Sequence, residues 1–126
     1  MKLHEINAML PFLLRRENVA RYEDGVVVMC DRRRYPFEQV FHHCEDVECA
    51  AKAIEEMVTQ GGGPQYVALY AMAMRAAQVA DLKPERQLQA FEAARQRLVS
   101  TRPTNTSMAR HLENAIKIMK NALDEG

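Results

Sequence analysis

Apolar residues along the chain change their spacing near Asp46, from strand-like alternation to the three- and four-residue repeat typical of helices. Before that point, two strand-like segments, 19–22 and 26–30, flank Glu23-Asp24-Gly25. This arrangement predicts a hairpin, because glycine accepts positive φ. Residues 39–43 could supply a third strand. We therefore predict a small antiparallel sheet, too thin to be stable unless it packs against another element.

After Asp46 the spacing predicts four helices. Asp46 is the expected N-cap of the first, whose apolar face runs over residues 47–58. The second, residues 65–80, is apolar on nearly every side and should be the buried central element. Pro84 suits the first turn of the third helix. The fourth has the clearest amphipathic pattern, formed by Met108, Leu112, Ala115, Ile116, Met119 and Leu123. The predicted fold class is α+β and mainly helical, with a three-stranded sheet packed on a bundle of about four helices.

The length of 126 residues is that of a single domain. We divide it into an N-terminal extension (1–16), a small sheet (17–45) and a helical bundle (46–124). The extension could contain a short helix at residues 6–14, and Tyr35-Pro36 is expected to form a turn.

Composition and charge exclude several classes of protein. With 48% apolar and 27% charged residues, the chain is neither disordered, collagenous nor a coiled coil. Seventeen basic and seventeen acidic residues leave no net field to attract nucleic acid or an anionic membrane, so neither is an expected partner. The longest apolar run, residues 67–74, is far shorter than the roughly 20 residues of a transmembrane helix. Recognition of an anion must therefore be local.

The cysteine count favours a reducing, cytoplasmic setting, because Cys30, Cys44 and Cys49 are odd in number and no secretory leader is evident. His42-His43-Cys44 followed by Cys49 invites a zinc interpretation, but that cysteine spacing is not the usual short pair. We expect no metal, and expect Cys44 and Cys49 to be small buried or half-buried residues.

Gly61-Gly62-Gly63-Pro64 is the first candidate site. Glycines permit close approach of a ligand to the backbone, and the amides at the start of the next helix favour an anion such as phosphate. The alternative is a plain sharp turn between two packed helices.

The turn at residues 101–107 is the second candidate. Arg102 offers forked donors that suit phosphate oxygens, directly before a helix. The alternative is that Thr104 or Asn105 simply caps that helix while Arg102 is solvated. Alternate helices of an antiparallel bundle start at the same end, so the glycine run and Arg102 could meet at one phosphate.

Three stretches together resemble the N-terminal domain of the methylthioribose-1-phosphate isomerase family. They are residues 26–33 with Tyr35-Pro36, the helix at 47–58, and Thr101-Arg102-Pro103-Thr104, which falls on the family's Arg-Pro-Thr turn. Gly61-Gly62-Gly63-Pro64 falls where the family has an Arg-Gly-Ala-Pro loop, with Gln60 at the position of the loop arginine. The resemblance covers about residues 19–124. It extends to ribose-1,5-bisphosphate isomerases and to the regulatory subunits of the exchange factor for initiation factor two.

The resemblance implies an aldose-to-ketose 1-phosphate isomerase of methionine salvage that acts as a homodimer without a cofactor. It also implies that this domain binds the sugar phosphate, and the matching positions here are Gly61, Gly62 and Arg102. Gly63 and Thr104, which belong to the same two turns, complete the predicted phosphate site. The family's catalytic Cys and Asp lie in a larger C-terminal Rossmann-like domain, which we expect to be absent here. No residue of this chain is therefore predicted to be catalytic, and a separate catalytic chain is an expected partner. The alternative is a non-enzymatic regulatory module that forms homodimers through the face meant for that domain.

Overall fold

The structure, a computed structural model, describes residues 20–34, 37–60, 63–102 and 105–124. Its elements are β1 (Ala20–Glu23), β2 (Val26–Cys30), β3 (Phe41–Cys44), α1 (Val47–Glu55), α2 (Gly63–Gln78), α3 (Pro84–Val99) and α4 (Thr106–Asp124). The predicted mainly helical α+β fold is confirmed. The helix predicted at 6–14 and the turn predicted at Tyr35-Pro36 lie outside the described residues.

The three strands form one antiparallel sheet in the order β1-β2-β3. The predicted hairpin is confirmed, with Asp24 at φ 53° and Gly25 at φ 78°. Positive φ at both central positions is the geometry that matches the twist of paired strands. The third strand begins at Phe41, two residues later than predicted, although Val40 still accepts a backbone hydrogen bond from Asp31 at 2.7 Å.

Helix α1 begins as predicted, because Asp46 Oδ1 accepts a hydrogen bond from the Cys49 amide at 2.7 Å. It ends earlier than predicted, at Glu55, and the glycine run is not what ends it. Met57 adopts φ 65°, and the Val58 amide donates back to the Ala53 carbonyl at 3.0 Å, which closes the helix end. A methionine rarely adopts this conformation, so the apolar pattern does not predict that the helix ends there.

Helix α2 is the central element, as predicted. It packs against α1, α3, α4, β1 and β2, and its buried residues join the main core cluster. It starts at Gly63 rather than Gln65, so that Gly63 and Pro64 lie buried in its first turn. In α4, the predicted stripe is buried at Met108, Leu112 and Ile116 and half-buried at its remaining positions. Among the described helices, none combines the length and apolar character required to cross a membrane.

Candidate functional site

Arg102 does not project into solvent but lies half-buried against the end of α1. Its Nη2 donates to the Ile54 carbonyl at 3.3 Å and lies 3.0 Å from Met57 Sδ. The turn that follows α3 positions this side chain, since the Arg102 amide donates to the Val99 carbonyl at 3.2 Å. The interpretation of Arg102 as a solvated residue is therefore wrong.

Two buried side-chain atoms in the described part of the chain lack a hydrogen-bond partner, and both lie close in sequence to the predicted site. They are Arg102 Nε and Thr59 Oγ1. Thr59 is 1% exposed and lies in the connection from α1 to α2, two residues before Gly61. An unpaired buried donor costs about 1–3 kcal/mol, so each of these atoms would gain from a ligand oxygen. Thr59 gives no signal in the sequence, because a threonine in a short connection is ordinarily exposed.

The start of α2 keeps the character expected of an anion site. Its first turn contains no acidic residue, so no carboxylate offsets the positive end of the helix dipole. Gln60 stabilises the connection before α2 through two hydrogen bonds. Its side-chain Nε2 donates to the Met57 carbonyl at 3.1 Å, and its backbone carbonyl accepts from the Gly63 amide at 3.0 Å. Gln60, at the position of the family's loop arginine, thus fixes the backbone.

Of the five predicted site residues, Gly63 and Arg102 are described, whereas Gly61, Gly62 and Thr104 lie outside the described residues. The contact between Arg102 and Met57 brings the turn after α3 against the connection that leads into the glycine run. Phosphate binding by this group stays a prediction.

At the start of α4, the alternative prediction of a capping residue is confirmed for Asn105. Its Oδ1 accepts a hydrogen bond from the Met108 amide at 2.9 Å. That side chain occupies one of the free amides of the helix start and leaves fewer of them for an anion.

Asp31 forms a second polar cluster, at the end of β2, with its side chain fully buried. Arg33 donates to both carboxylate oxygens of Asp31, from Nε to Oδ1 at 3.0 Å and from Nη2 to Oδ2 at 2.9 Å. His42 Nε2 lies 2.9 Å from the same Oδ2. The hydrogen bonds from Arg33, followed by the one from His42, hold the pKa of Asp31 well below its usual range, although burial alone would raise it. The cluster fixes the start of the β2–β3 loop and the orientation of the His42 ring.

Cys44 and Cys49 form a disulfide that joins the end of β3 to the first turn of α1. The expectation of a buried or half-buried residue is confirmed for Cys44 and wrong for Cys49. The bond itself was not predicted: Asp46 turns the chain sharply and leaves the two Cα atoms 5.3 Å apart. Cys44 is completely buried, whereas Cys49 is exposed. The bond borders a cavity of about 410 Å³, which is lined by His42, Cys44, Asp46, Glu48, Cys49, Lys52, Ala53, Glu56 and Val58.

Comparison with known proteins gives one significant sequence relative and two structural ones. No protein-family model matches the chain. A protein of Aeropyrum pernix named "Putative methylthioribose-1-phosphate isomerase" is 35% identical over 101 residues. That match covers 79% of this chain, which thus spans 27% of the length of its relative.

The fold is shared with two solved structures. The translation initiation factor eIF-2B, subunit delta, from A. fulgidus matches with a TM-score of 0.72 and 23% identity, over 79% of this chain and 29% of the other. The 5-methylthioribose 1-phosphate isomerase from Pyrococcus horikoshii OT3 matches with a TM-score of 0.70 and 22% identity, over 93% of this chain and 36% of the other.

Proposed function

We propose a function on the premise that this chain matches, in sequence and fold, the N-terminal domain of the methylthioribose-1-phosphate isomerase and eIF-2B family. The chain grips the phosphate of an aldose 1-phosphate, methylthioribose 1-phosphate first of all, for isomerisation to the ketose. It does so in the cytoplasm, in methionine salvage, and acts together with a Rossmann-like catalytic unit that supplies the reacting Cys and Asp.

The observation that carries this proposal is the unpaired Nε of Arg102. The Nη2 of the same guanidinium is held by the Ile54 carbonyl, so the plane of the group is oriented before any ligand arrives. A pre-oriented guanidinium binds a phosphate oxygen with less loss of side-chain entropy than a mobile one. Thr59 Oγ1 provides a second unused donor beside the glycine run, and the start of α2 provides a favourable dipole.

In this proposal the chain binds the sugar phosphate, and none of its own residues catalyses the isomerisation. The described residues hold the phosphate end of the sugar through donors and a helix dipole, which lower the free energy of substrate and transition state alike. Proton transfer between the sugar carbons requires a base beside them, and the resemblance places that base in the Rossmann-like unit.

Calorimetry of the chain with methylthioribose 1-phosphate tests this proposal through Arg102→Ala. We expect affinity to fall by about one to two decades, the loss of one charge-assisted hydrogen bond of roughly 1.5–3 kcal/mol. The fold should persist, because the half-buried guanidinium loses one hydrogen bond, from Nη2 to the Ile54 carbonyl, which contributes only about 0.5–1.5 kcal/mol. Thr59→Val, which removes a hydroxyl and keeps the shape, should weaken binding in the same direction.

The matched control is Arg110→Ala, which removes the same charge from the exposed face of α4. Equal affinity for the wild-type chain and Arg102→Ala, with Arg110→Ala also unchanged, would contradict the proposed site. Turnover of the sugar phosphate by the isolated chain would contradict the need for a separate catalytic unit.

The likeness to an initiation factor subunit motivates a second candidate, a regulatory module that forms homodimers. Ile118 on α4 is 69% exposed and Leu82 is 48% exposed, so apolar side chains are available to such an interface. Sedimentation would then show a dimer that binds no sugar phosphate. A monomer that binds methylthioribose 1-phosphate would exclude this candidate.

A further inference from the structure

The two cysteines of the Cys44–Cys49 disulfide differ sharply in exposure. Cys44 ends β3 and is completely buried, whereas Cys49, in the first turn of α1, is exposed. A thiolate must reach a disulfide sulfur directly in order to attack it. Access therefore selects Cys49 as the sulfur that reacts with a molecule from solution.

The cavity beside the bond has room and polar groups for a small reactant. Its volume is about 410 Å³, and His42, from the same strand face as Cys44, forms part of its lining. Asp31 Oδ2 lies 2.9 Å from His42 Nε2, and this contact fixes the orientation of the His42 ring.

The charges around the cavity indicate which reactant fits. Asp46, Glu48 and Glu56 line it, against the single ammonium of Lys52. Arg97 binds Glu48 with two hydrogen bonds, at 2.7 and 3.0 Å, but shares its charge with Glu55, so carboxylates outnumber cations around the cavity. A small thiol that carries a positive charge is therefore favoured over an anionic one such as glutathione.

We propose that the Cys44–Cys49 pair is a reversible thiol–disulfide exchange site, at which Cys49 forms the mixed disulfide with a small cationic thiol. The pair combines an exposed cysteine in the first turn of a helix, where a thiolate is favoured, with a buried and therefore protected one. This site is distinct from the proposed phosphate site, and its chemistry does not depend on it.

The exchange consumes two equivalents of the external thiol. The first, as its thiolate, attacks Cys49 Sγ; the Cys44–Cys49 bond breaks, and Cys44 leaves as a thiolate that takes up the proton the external thiol released. The second thiolate attacks the external sulfur of the mixed disulfide. Cys49 then leaves and is protonated, and the external disulfide departs. The protein gains two electrons and two protons, and two external thiols lose them.

Cysteamine and its disulfide, cystamine, are the probes for the test on the full chain. Native protein is treated with cysteamine and alkylated while folded. It is then unfolded and alkylated with a second reagent of different mass, and each cysteine is read by peptide mass. We expect both Cys44 and Cys49 to appear as thiols, and cystamine to restore the bond. With cystamine, Cys44→Ser should accumulate mixed disulfide on Cys49 about tenfold or more faster than Cys49→Ser does on Cys44, because only exposed thiolates exchange readily.

Cys30 serves as the internal measure of folding. It is 1% exposed, and burial raises the pKa of its thiol, so it should resist alkylation in every folded sample. If a serine variant labels at Cys30, the order of attack is read instead on the wild-type chain, from the first mixed disulfide trapped by acid.

Three results would overturn the proposal. The bond could resist cysteamine in the native chain and yield thiols only after denaturation, which would make it purely structural. The mixed disulfide could form on Cys44 as fast as on Cys49. Oxidised glutathione could react as fast as cystamine, which would contradict the selection by charge.

Discussion

At the scale of single residues, Asp31 shows how a buried charge stabilises this fold. Its carboxylate is fully buried and accepts two hydrogen bonds from the Arg33 guanidinium and one from the Arg33 amide. Asp31→Asn keeps the shape but turns one acceptor into a donor that faces Arg33. We expect the free energy of unfolding at pH 7 to fall by roughly 2–4 kcal/mol, measured by urea denaturation.

The same interaction fixes the sign of the pH dependence. The folded state lowers the pKa of Asp31, so its stabilisation is complete above the unfolded value of about 3.9 and is lost as pH falls towards the folded value. The deficit of Asp31→Asn should therefore shrink between pH 5 and pH 3. The control is Asp24→Asn, because asparagine accepts the φ of 53° at that exposed turn. A deficit that is constant with pH would show that Asp31 acts through shape alone.

Single residues also mark where the sequence was informative. The Asp24-Gly25 turn could be predicted, because positive φ at two successive positions limits the residue choice. Met57 could not, since its positive φ is imposed by the burial of Val58 and by the contact with Arg102. Thr59 and the Cys44–Cys49 bond were missed for a related reason: each depends on tertiary placement that no local pattern encodes.

At the scale of elements, Arg97 of α3 joins both ends of α1. Its guanidinium binds Glu48 in the first turn and Glu55 in the last, through four hydrogen bonds of 2.7–3.0 Å. These bonds lower the pKa of both glutamates and raise that of Arg97. Arg97→Ala should lower the melting temperature at low ionic strength, since it frees two neighbouring carboxylates to repel each other.

All three side chains are partly exposed, so salt should screen this contribution. The melting temperatures of Arg97→Ala and wild type should approach each other as salt rises to about 1 M, where the Debye length is about 3 Å. Arg86→Ala, on the exposed face of the same helix, is the matched control. A salt-independent difference would assign the effect to lost packing of the arginine stem.

Helix positions were more predictable than helix ends. The apolar repeat located α3 and α4, and Pro84 marked the start of α3 correctly. The predicted start of α2 is two residues late, because glycine and proline favour a turn, whereas here Gly63 and Pro64 are the first two residues of the helix. Helix ends depend on capping contacts, and these form between residues that the repeat does not include.

At the scale of the whole molecule, α2 joins the sheet to the bundle, since it packs against β1 and β2 as well as all three other helices. This placement was predicted from its lack of a polar face. It means that the small sheet, which could not persist alone, shares one core with the helices. The sheet and the bundle should therefore unfold together.

Met72→Ala tests that cooperativity, because Met72 is 1% exposed in the middle of α2 and belongs to the shared core. Truncation should destabilise the protein by about 2–4 kcal/mol, the usual result of emptying a packed position. Native-state hydrogen exchange should show amides of β2 and α4 losing protection by the same factor. Ile118→Ala, at a 69% exposed position of α4, should change neither. If α4 lost protection while β2 kept it, the sheet would be an independently stable unit, and the single shared core would be wrong.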